Sequence, residues 1–243
     1  MSEAQATGHI IAIGGAGFNN DEGNPLLWRY ALALVGKPRP KVCYFGQASA
    51  ESLEHTVAFY RTFVGLGCEP THCSLFEPPT ADLRSFIQEQ DVICVGGGNT
   101  KSMLALWREW GLDHIFREFW QQGKLLMGIS AGSICWFEQG VTDSIPGPYT
   151  ALPCLGFLPG SNCPHYDGEV RRRPDYHRLL QTGQIGDGYA CDNGVALHYV
   201  GDKLDEIISS RPDAFAYHVT RDGDTVNETR LTPRYLGADE AKE

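Results

Sequence analysis

Lys124-Leu-Leu-Met-Gly128-Ile-Ser130-Ala-Gly132-Ser-Ile-Cys-Trp-Phe137, KLLMGISAGSICWF, sets a serine between two glycines, directly after one apolar run and before another. A short, continuous apolar run suits a strand buried on both faces. The glycines permit a tight corner between that strand and a following helix, which we read through SICWFEQ. A corner of this kind leaves the Ser130 hydroxyl at the strand end, next to the helix N-terminus and its free amides. The competing reading is a turn that merely contains a serine, since GxSxG recurs by chance.

The same pattern returns outward from this stretch. HIIAIGGAGF (9–18), KVCYFGQAS (41–49) and QDVICVGGGNT (90–100) are apolar runs ending in small residues. Between them, 24–36, 51–67, 100–111 and 112–123 space their apolar residues three and four apart, and the last two close on a glycine. Strand and helix in alternation predict an α/β fold with a doubly wound, mostly parallel sheet and ligands at the carboxyl ends of its strands. Beyond residue 138 the pattern changes. Residues 144–169 are rich in Pro and Gly and read as a long functional loop, and VALHYV, DEIISS and AFAYHV read as antiparallel strands. No linker or repeat interrupts the chain. One domain over 1–243 is expected, with free ends at 1–8 and 235–243.

Bulk composition narrows the function. Hydrophobic residues make up 42% of the 243, enough for a core, and the net charge of −10 argues against nucleic acid or an anionic membrane as partner. The start, MSEAQATGH, lacks a leader pattern, and no apolar run is long enough to span a bilayer. The eight cysteines lie mostly inside apolar runs without a CxxC pair, as buried reduced thiols of a cytoplasmic protein would. No HExxH or clustered Cys/His spacing calls for a metal, and no cofactor motif is present.

A nucleophilic serine needs a base, and the base needs an orienting group. His165, in SNCPHYDGE, stands out among eight histidines by its loop setting. Asp192, in ACDNGVALHYV, and Asp143, in GVTDSIPG, are both candidate acids, and position alone does not separate them. Gly96-Gly-Gly-Asn-Thr100 can close a turn, cradle a phosphate or offer bare amides to an oxyanion. It lacks the Walker lysine, and the oxyanion role is favoured. Arg171, Arg172 and Arg173 follow His165 closely; such a run ordinarily forms a solvated face, and the other reading is that it holds a substrate carboxylate bidentately.

VGGGNT, GISAG, PHYDGE and ACDNGVAL together resemble the peptidase E (aspartyl dipeptidase) family of serine peptidases, which also includes cyanophycinase. The resemblance implies a flavodoxin-like sheet related to class I glutamine amidotransferases, with serine replacing cysteine at the elbow. It implies Ser130 as nucleophile, His165 as base, Asp192 as third member and Asp143 as a further acid. It places the oxyanion donors on Gly97 or Gly98 and on Ala131, and a substrate-binding arginine on Arg171. The expected activity is cofactor-free hydrolysis of short peptides, with a homodimer left open. Two other readings stay open: an esterase of the α/β-hydrolase type, whose order needs a late base such as His218, and a non-catalytic binding protein of this fold.

Overall fold

The computed structural model describes residues 7–15 and 24–240. Its first half alternates as expected, with β3 and α3 as elements the sequence reading did not include: β1 (His9–Ile13), α1 (Leu26–Val35), β2 (Lys41–Phe45), α2 (Leu53–Gly65), β3 (Glu69–His72), α3 (Leu83–Gln88), β4 (Val92–Val95), α4 (Thr100–Glu109), α5 (Leu112–Gln121), β5 (Leu125–Ile129) and α6 (Ala131–Ile134). Five of these strands run parallel in the order β1-β5-β4-β2-β3.

Alternate residues of each strand face opposite sides. Ile11, Ile13, Val42, Tyr44, Cys94, Met127 and Ile129 face α1 and α2, which contribute Leu27, Trp28, Phe59 and Phe63. Ile10, Ala12, Cys43, Phe45, Ile93, Val95 and Leu126 face α4 and α5, with Trp107, Phe116 and Phe119 at the centre. The sheet is therefore buried on both sides through β1, β2, β4 and β5, which explains the continuous apolar runs of these strands.

The second half differs from the sequence reading. β6 (Phe137–Thr142) precedes the stretch expected to be a loop, β7 (Thr150–Pro153) and β8 (Leu158–Cys163) form within it, and α7 (Arg172–Gln181) and β9 (Gly188–Cys191) follow. Then come β10 (Val195–Val200), β11 (Lys203–Ser209), β12 (Ala216–Asp222), β13 (Thr225–Leu231), β14 (Arg234–Tyr235) and α8 (Gly237–Glu240). β10, β11 and β14 extend the first sheet beyond β1, giving the order β14-β11-β10-β1-β5-β4-β2-β3. The other strands form a second sheet, β13-β12-β9-β8-β6-β7, with α7 packed on it through Tyr176, Leu179 and Leu180. Trp136, Phe137 and Phe157 join this layer to the α4–α5 side of the first.

Two local expectations are corrected. The elbow helix stops at Ile134 instead of running through SICWFEQ, because Phe137 already enters β6. The stretch from 235 is not free throughout: Tyr235 pairs with Ser209, and the Leu236 N–H donates to the Ser209 carbonyl at 2.9 Å. Residues 1–6 and 241–243 lie outside the described residues. All eight cysteines are unpaired; seven are buried and Cys154 is half-buried. Burial pushes their thiols up, Cys68 to about 11, so the nucleophilic thiolate form is disfavoured.

At the far end of β1, away from the strand carboxyl ends, His9 Nδ1 lies 2.9 Å from His198 Nε2, and His198 Nδ1 lies 2.8 Å from the Tyr30 hydroxyl. Tyr30 donates to Glu206, which also pairs with Arg234. Desolvation lowers both histidine pKa values, and His9 adds to the effect on His198; Asp205 opposes it at both rings, and Glu206 also at His198. Both rings therefore fold as neutral groups. The unfolded chain binds more protons as pH falls through the ordinary histidine range near 6.5, so this pair costs stability below it and none well above. The melting temperature of the wild type is expected to fall more steeply between about pH 7.5 and 5.5 than that of His198→Gln. Equal slopes in a thermal scan contradict this.

Candidate active site

Ser130 follows β5 as the N-cap of α6, with φ +55° and ψ −109°, a conformation rare for a residue with a side chain. Such strain costs on the order of 1–3 kcal/mol and has to be imposed by surrounding structure. The flanking glycines are that structure. A Cβ on Gly128 would lie 2.1 Å from the Gly132 carbonyl oxygen, and one on Gly132 would lie 2.4 Å from that of Val95. α6 is pressed so closely onto β4 and β5 that neither position has room for a methyl group. Ser133, fully buried one turn on, donates to Asn162 Oδ1 at 3.0 Å and ties the elbow to β8.

Three segments meet on the last residue of β1 and the two glycines that follow it. The Ser130 N–H donates to the Ile13 carbonyl at 3.1 Å, and the His165 N–H donates to that of Gly14 at 2.9 Å. The Gly15 carbonyl accepts the N–H of Gly194. Successive carbonyls of one strand end thus hold the corner after β5, the turn after β8 and the turn after β9. His165 also has a positive φ, +55°. Its neighbour Tyr166 is buried and anchors the turn by donating to Glu228 at 2.6 Å.

The His165 ring finds its partner at Nδ1, 2.7 Å from Asn193 Oδ1. With the Nδ1–H donating to that oxygen, Nε2 is the ring's remaining acceptor. Gly15 lies directly beneath the pair, since a Cβ there would come within 1.9 Å of Asn193 Oδ1 and 2.6 Å of His165 Nδ1.

This geometry corrects the expectation for Asp192. Its carboxylate Oδ2 accepts the Phe215 N–H at 2.9 Å, and the side chain is buried beside the turn while its neighbour meets the histidine. Desolvation pushes its pKa up to about 6 despite the Phe215 hydrogen bond.

The loop after β4 approaches from the other side. A Cβ on Gly97 would stand 3.2 Å from Ser130 Cβ and 3.7 Å from its Oγ. Gly98 has φ +132° and no space for a Cβ against the Ala48 carbonyl. Ala131 begins α6, where the first amides have no partner within the helix.

Ser130, Gly98, Asn99, Asp143, Ser144, Glu169 and Arg172 line a pocket of about 210 Å³. Asn99 Nδ2 donates to the Ser144 carbonyl at 3.0 Å, fixing the loop that carries Asp143. Arg172, almost wholly buried, donates to Glu169 Oε2 at 2.7 Å and to the Val141 carbonyl at 2.8 Å, and it stacks over Tyr149. Burial pushes the Glu169 carboxyl up, but hydrogen bonds from Arg172 and Tyr149 outweigh it and keep it below the ordinary glutamate value. Arg171, the arginine expected here, instead pairs with Asp175 at 3.5 Å on the exposed side of α7. The helix turns about 100° per residue, so one position of offset exchanges an exposed for a buried direction. His218, the base an esterase order would need, lies on β12 with its ring tilted against that of Tyr189 on β9. Among the described residues, no group of three His, Cys, Asp or Glu side chains is arranged to hold a metal, and no helix is long and apolar enough to cross a membrane.

The model of peptidase family S51 matches residues 10–207. The chain belongs to that family. Over 228 residues it is 51% identical to a Bacillus subtilis (strain 168) protein named "Uncharacterized peptidase YgaJ", covering 94% of this chain and 99% of that one. It is 34% identical over 140 residues to peptidase E of Shewanella amazonensis (strain ATCC BAA-1098 / SB2B), across 51% of this chain and 57% of the relative. The fold matches the crystal structure of a peptidase from an acI-B1 Actinobacterium, with a TM-score of 0.67 at 15% identity over 95% and 96% of the two chains. The S51 chain is thus a peptidase on the flavodoxin-like, class I glutamine amidotransferase-like fold.

Since Asn193 rather than Asp192 meets His165, Asn193→Ala is expected to lower kcat about a hundredfold, short of the ten-thousandfold seen when an orienting aspartate is disabled. Asp192→Asn keeps an acceptor for the Phe215 N–H and is expected to retain wild-type kcat within about threefold. Kinetics of both variants on one substrate decide this, and the reverse order of effects restores Asp192 as the orienting group.

Proposed function

We propose that the S51 chain is a serine-type peptidase for short peptides, working through an acyl-enzyme with Ser130, His165 and Asn193. The observation that carries this reading is the strained Ser130 held on the same strand end as a histidine whose Nδ1 already has its acceptor. An asparagine in the third place has precedent in Cys-His-Asn proteases, where it fixes the tautomer without contributing charge.

In the forward step, Ser130 Oγ attacks the scissile carbonyl carbon while His165 Nε2 takes its proton. Asn193 Oδ1 holds the Nδ1–H throughout, so the ring cannot turn as its charge develops. The carbonyl oxygen becomes an oxyanion next to the amides of Gly97 or Gly98 and of Ala131, where fixed dipoles stabilise it. Collapse expels the amine, which leaves with the proton from His165. Water then attacks the acyl-serine by the same route in reverse, yielding the free acid.

The pocket supports a small substrate. A volume of about 210 Å³ has room for little beyond one residue and its neighbouring termini. Asp143 and Glu169 bring carboxylates to it, and Arg172 brings a buried cation. A short peptide with free ends carries both an ammonium and a carboxylate, and a site with both signs of charge suits it. Asp143 serves here as a supporting acid at the substrate, and Arg172 takes the carboxylate-binding role expected of Arg171.

A library of dipeptides and short peptides assayed by mass spectrometry tests the reading. Ser130→Ala is expected to reduce turnover by at least about a thousandfold while leaving the fold intact. Undiminished peptide cleavage by Ser130→Ala, or turnover of esters without any peptide, overturns it.

A further inference from the structure

The turn that carries Asn193 joins β9 of one sheet to β10 of the other. A side chain in such a turn is aimed only as well as its backbone is held. Asn193 is held at both backbone polar groups. Its N–H donates to Asp167 Oδ1 at 2.8 Å, and its carbonyl accepts from Arg211 Nη1 at 2.8 Å. The same Nη1 donates to Asp167 Oδ2 at 2.8 Å, closing a ring around the residue.

Both arms of this ring are themselves fixed. Asp167 stands two residues after His165, in a turn where the amides of Gly168 and Glu169 donate to the His165 carbonyl at 3.2 and 3.1 Å. Arg211 follows the end of β11, where its N–H donates to Ser209 Oγ at 3.0 Å. Its stem lies on Gly194, where a Cβ would stand 2.9 Å from Arg211 Cδ. Gly168 presses on the other side of the asparagine, since a Cβ there would lie 2.3 Å from Asn193 Nδ2. The ring therefore connects the turn bearing the base to the turn bearing its acceptor.

We propose that Asp167 and Arg211 are positioning residues that act through Asn193, clamping its backbone so that its Oδ1 stays on His165 Nδ1. The proposal rests on the Ser-His-Asn reading and adds two residues that touch neither substrate nor reacting atoms. The side chains of Arg211 and Asp167 are 41% and 32% exposed, and an ion pair this open adds little to stability. Its effect on placement can therefore be measured apart from its effect on folding.

The test is a double-mutant cycle, read as the second-order rate at which a fluorophosphonate probe labels Ser130. In that reaction Ser130 Oγ bonds to phosphorus, fluoride leaves, and the serine proton passes to the base. Arg211→Ala and Asp167→Ala are each expected to slow labelling by about tenfold or more, the scale on which small misplacements act. Arg211→Lys is expected to recover most of the rate, because a lysine still reaches the Asp167 carboxylate. In an Asn193→Ala background, Arg211→Ala is expected to cost less than a further twofold or so, since the group it positions is gone. Thermal unfolding of each variant confirms the fold, and Arg211→Gln takes the place of Arg211→Ala in the cycle if the alanine variant does not fold. Additive losses overturn the proposal, because a general structural role acts with or without Asn193. So does a wild-type rate for Arg211→Ala where Asn193→Ala is slow. A wild-type rate for Asn193→Ala itself instead overturns the Ser-His-Asn reading.

Discussion

The architecture of the site depends on three consecutive carbonyl groups at the end of β1. Those of Ile13, Gly14 and Gly15 accept the amides of Ser130, His165 and Gly194. Each acceptor reaches a different segment, from the corner after β5, the turn after β8 and the turn after β9. Because the three carbonyls are consecutive, on the last residue of β1 and the two glycines that follow it, the spacing among the three segments is set by the covalent geometry of a single backbone. The absence of side chains makes this possible: a Cβ on Gly14 would lie 2.6 Å from that of Cys191, and one on Gly15 would enter the His165–Asn193 pair.

The two sheets explain why such a shelf is required. Ser130 and Gly97 come from the first sheet, whereas His165 and Asn193 come from turns at the ends of strands in the second. The chain first passes from the first sheet to the second through α6 and first returns through residues 192–194, and these two of its crossings adjoin the site. The Ser133–Asn162 hydrogen bond and the Asn162–Tyr189 contact at 3.2 Å tie α6, β8 and β9 together beneath it. The placement of the candidate site residues is in this sense a property of the junction between layers.

Much of this was legible in the sequence. The strands β1, β2, β4 and β5 carry continuous apolar runs because helices cover both faces of the sheet, and each is followed by small residues. The Gly128-Ile-Ser130-Ala-Gly132 corner and the Gly96–Gly98 loop could be placed for the same reason. The second sheet could not. Its strands β6 and β8, FEQGVT and LPGSNC, contain glycine, proline and polar residues, because close contacts replace large side chains: a Cβ on Gly140 would strike Ile134. β3, EPTH, lies at the sheet edge and has no apolar signal. Asn193 was missed because a carboxylate is the usual partner of a catalytic histidine and Asp192 stands next to it. Only the turn shows which of the two meets the His165 ring. The choice between Arg171 and Arg172 likewise rests on helical phase, which the run of three arginines does not reveal.

The most direct test of the β1 shelf is the reactivity of Gly15→Ala toward a fluorophosphonate. Gly15 does not have a positive φ, so alanine introduces one methyl group without backbone strain. That methyl group falls within 1.9 Å of Asn193 Oδ1 and 2.6 Å of His165 Nδ1, so the pair has to move. Labelling of Ser130 is expected to fall by about a hundredfold, the scale of a misplacement near 1 Å, in a protein that still unfolds cooperatively. A folded Gly15→Ala protein that labels at the wild-type rate contradicts the account.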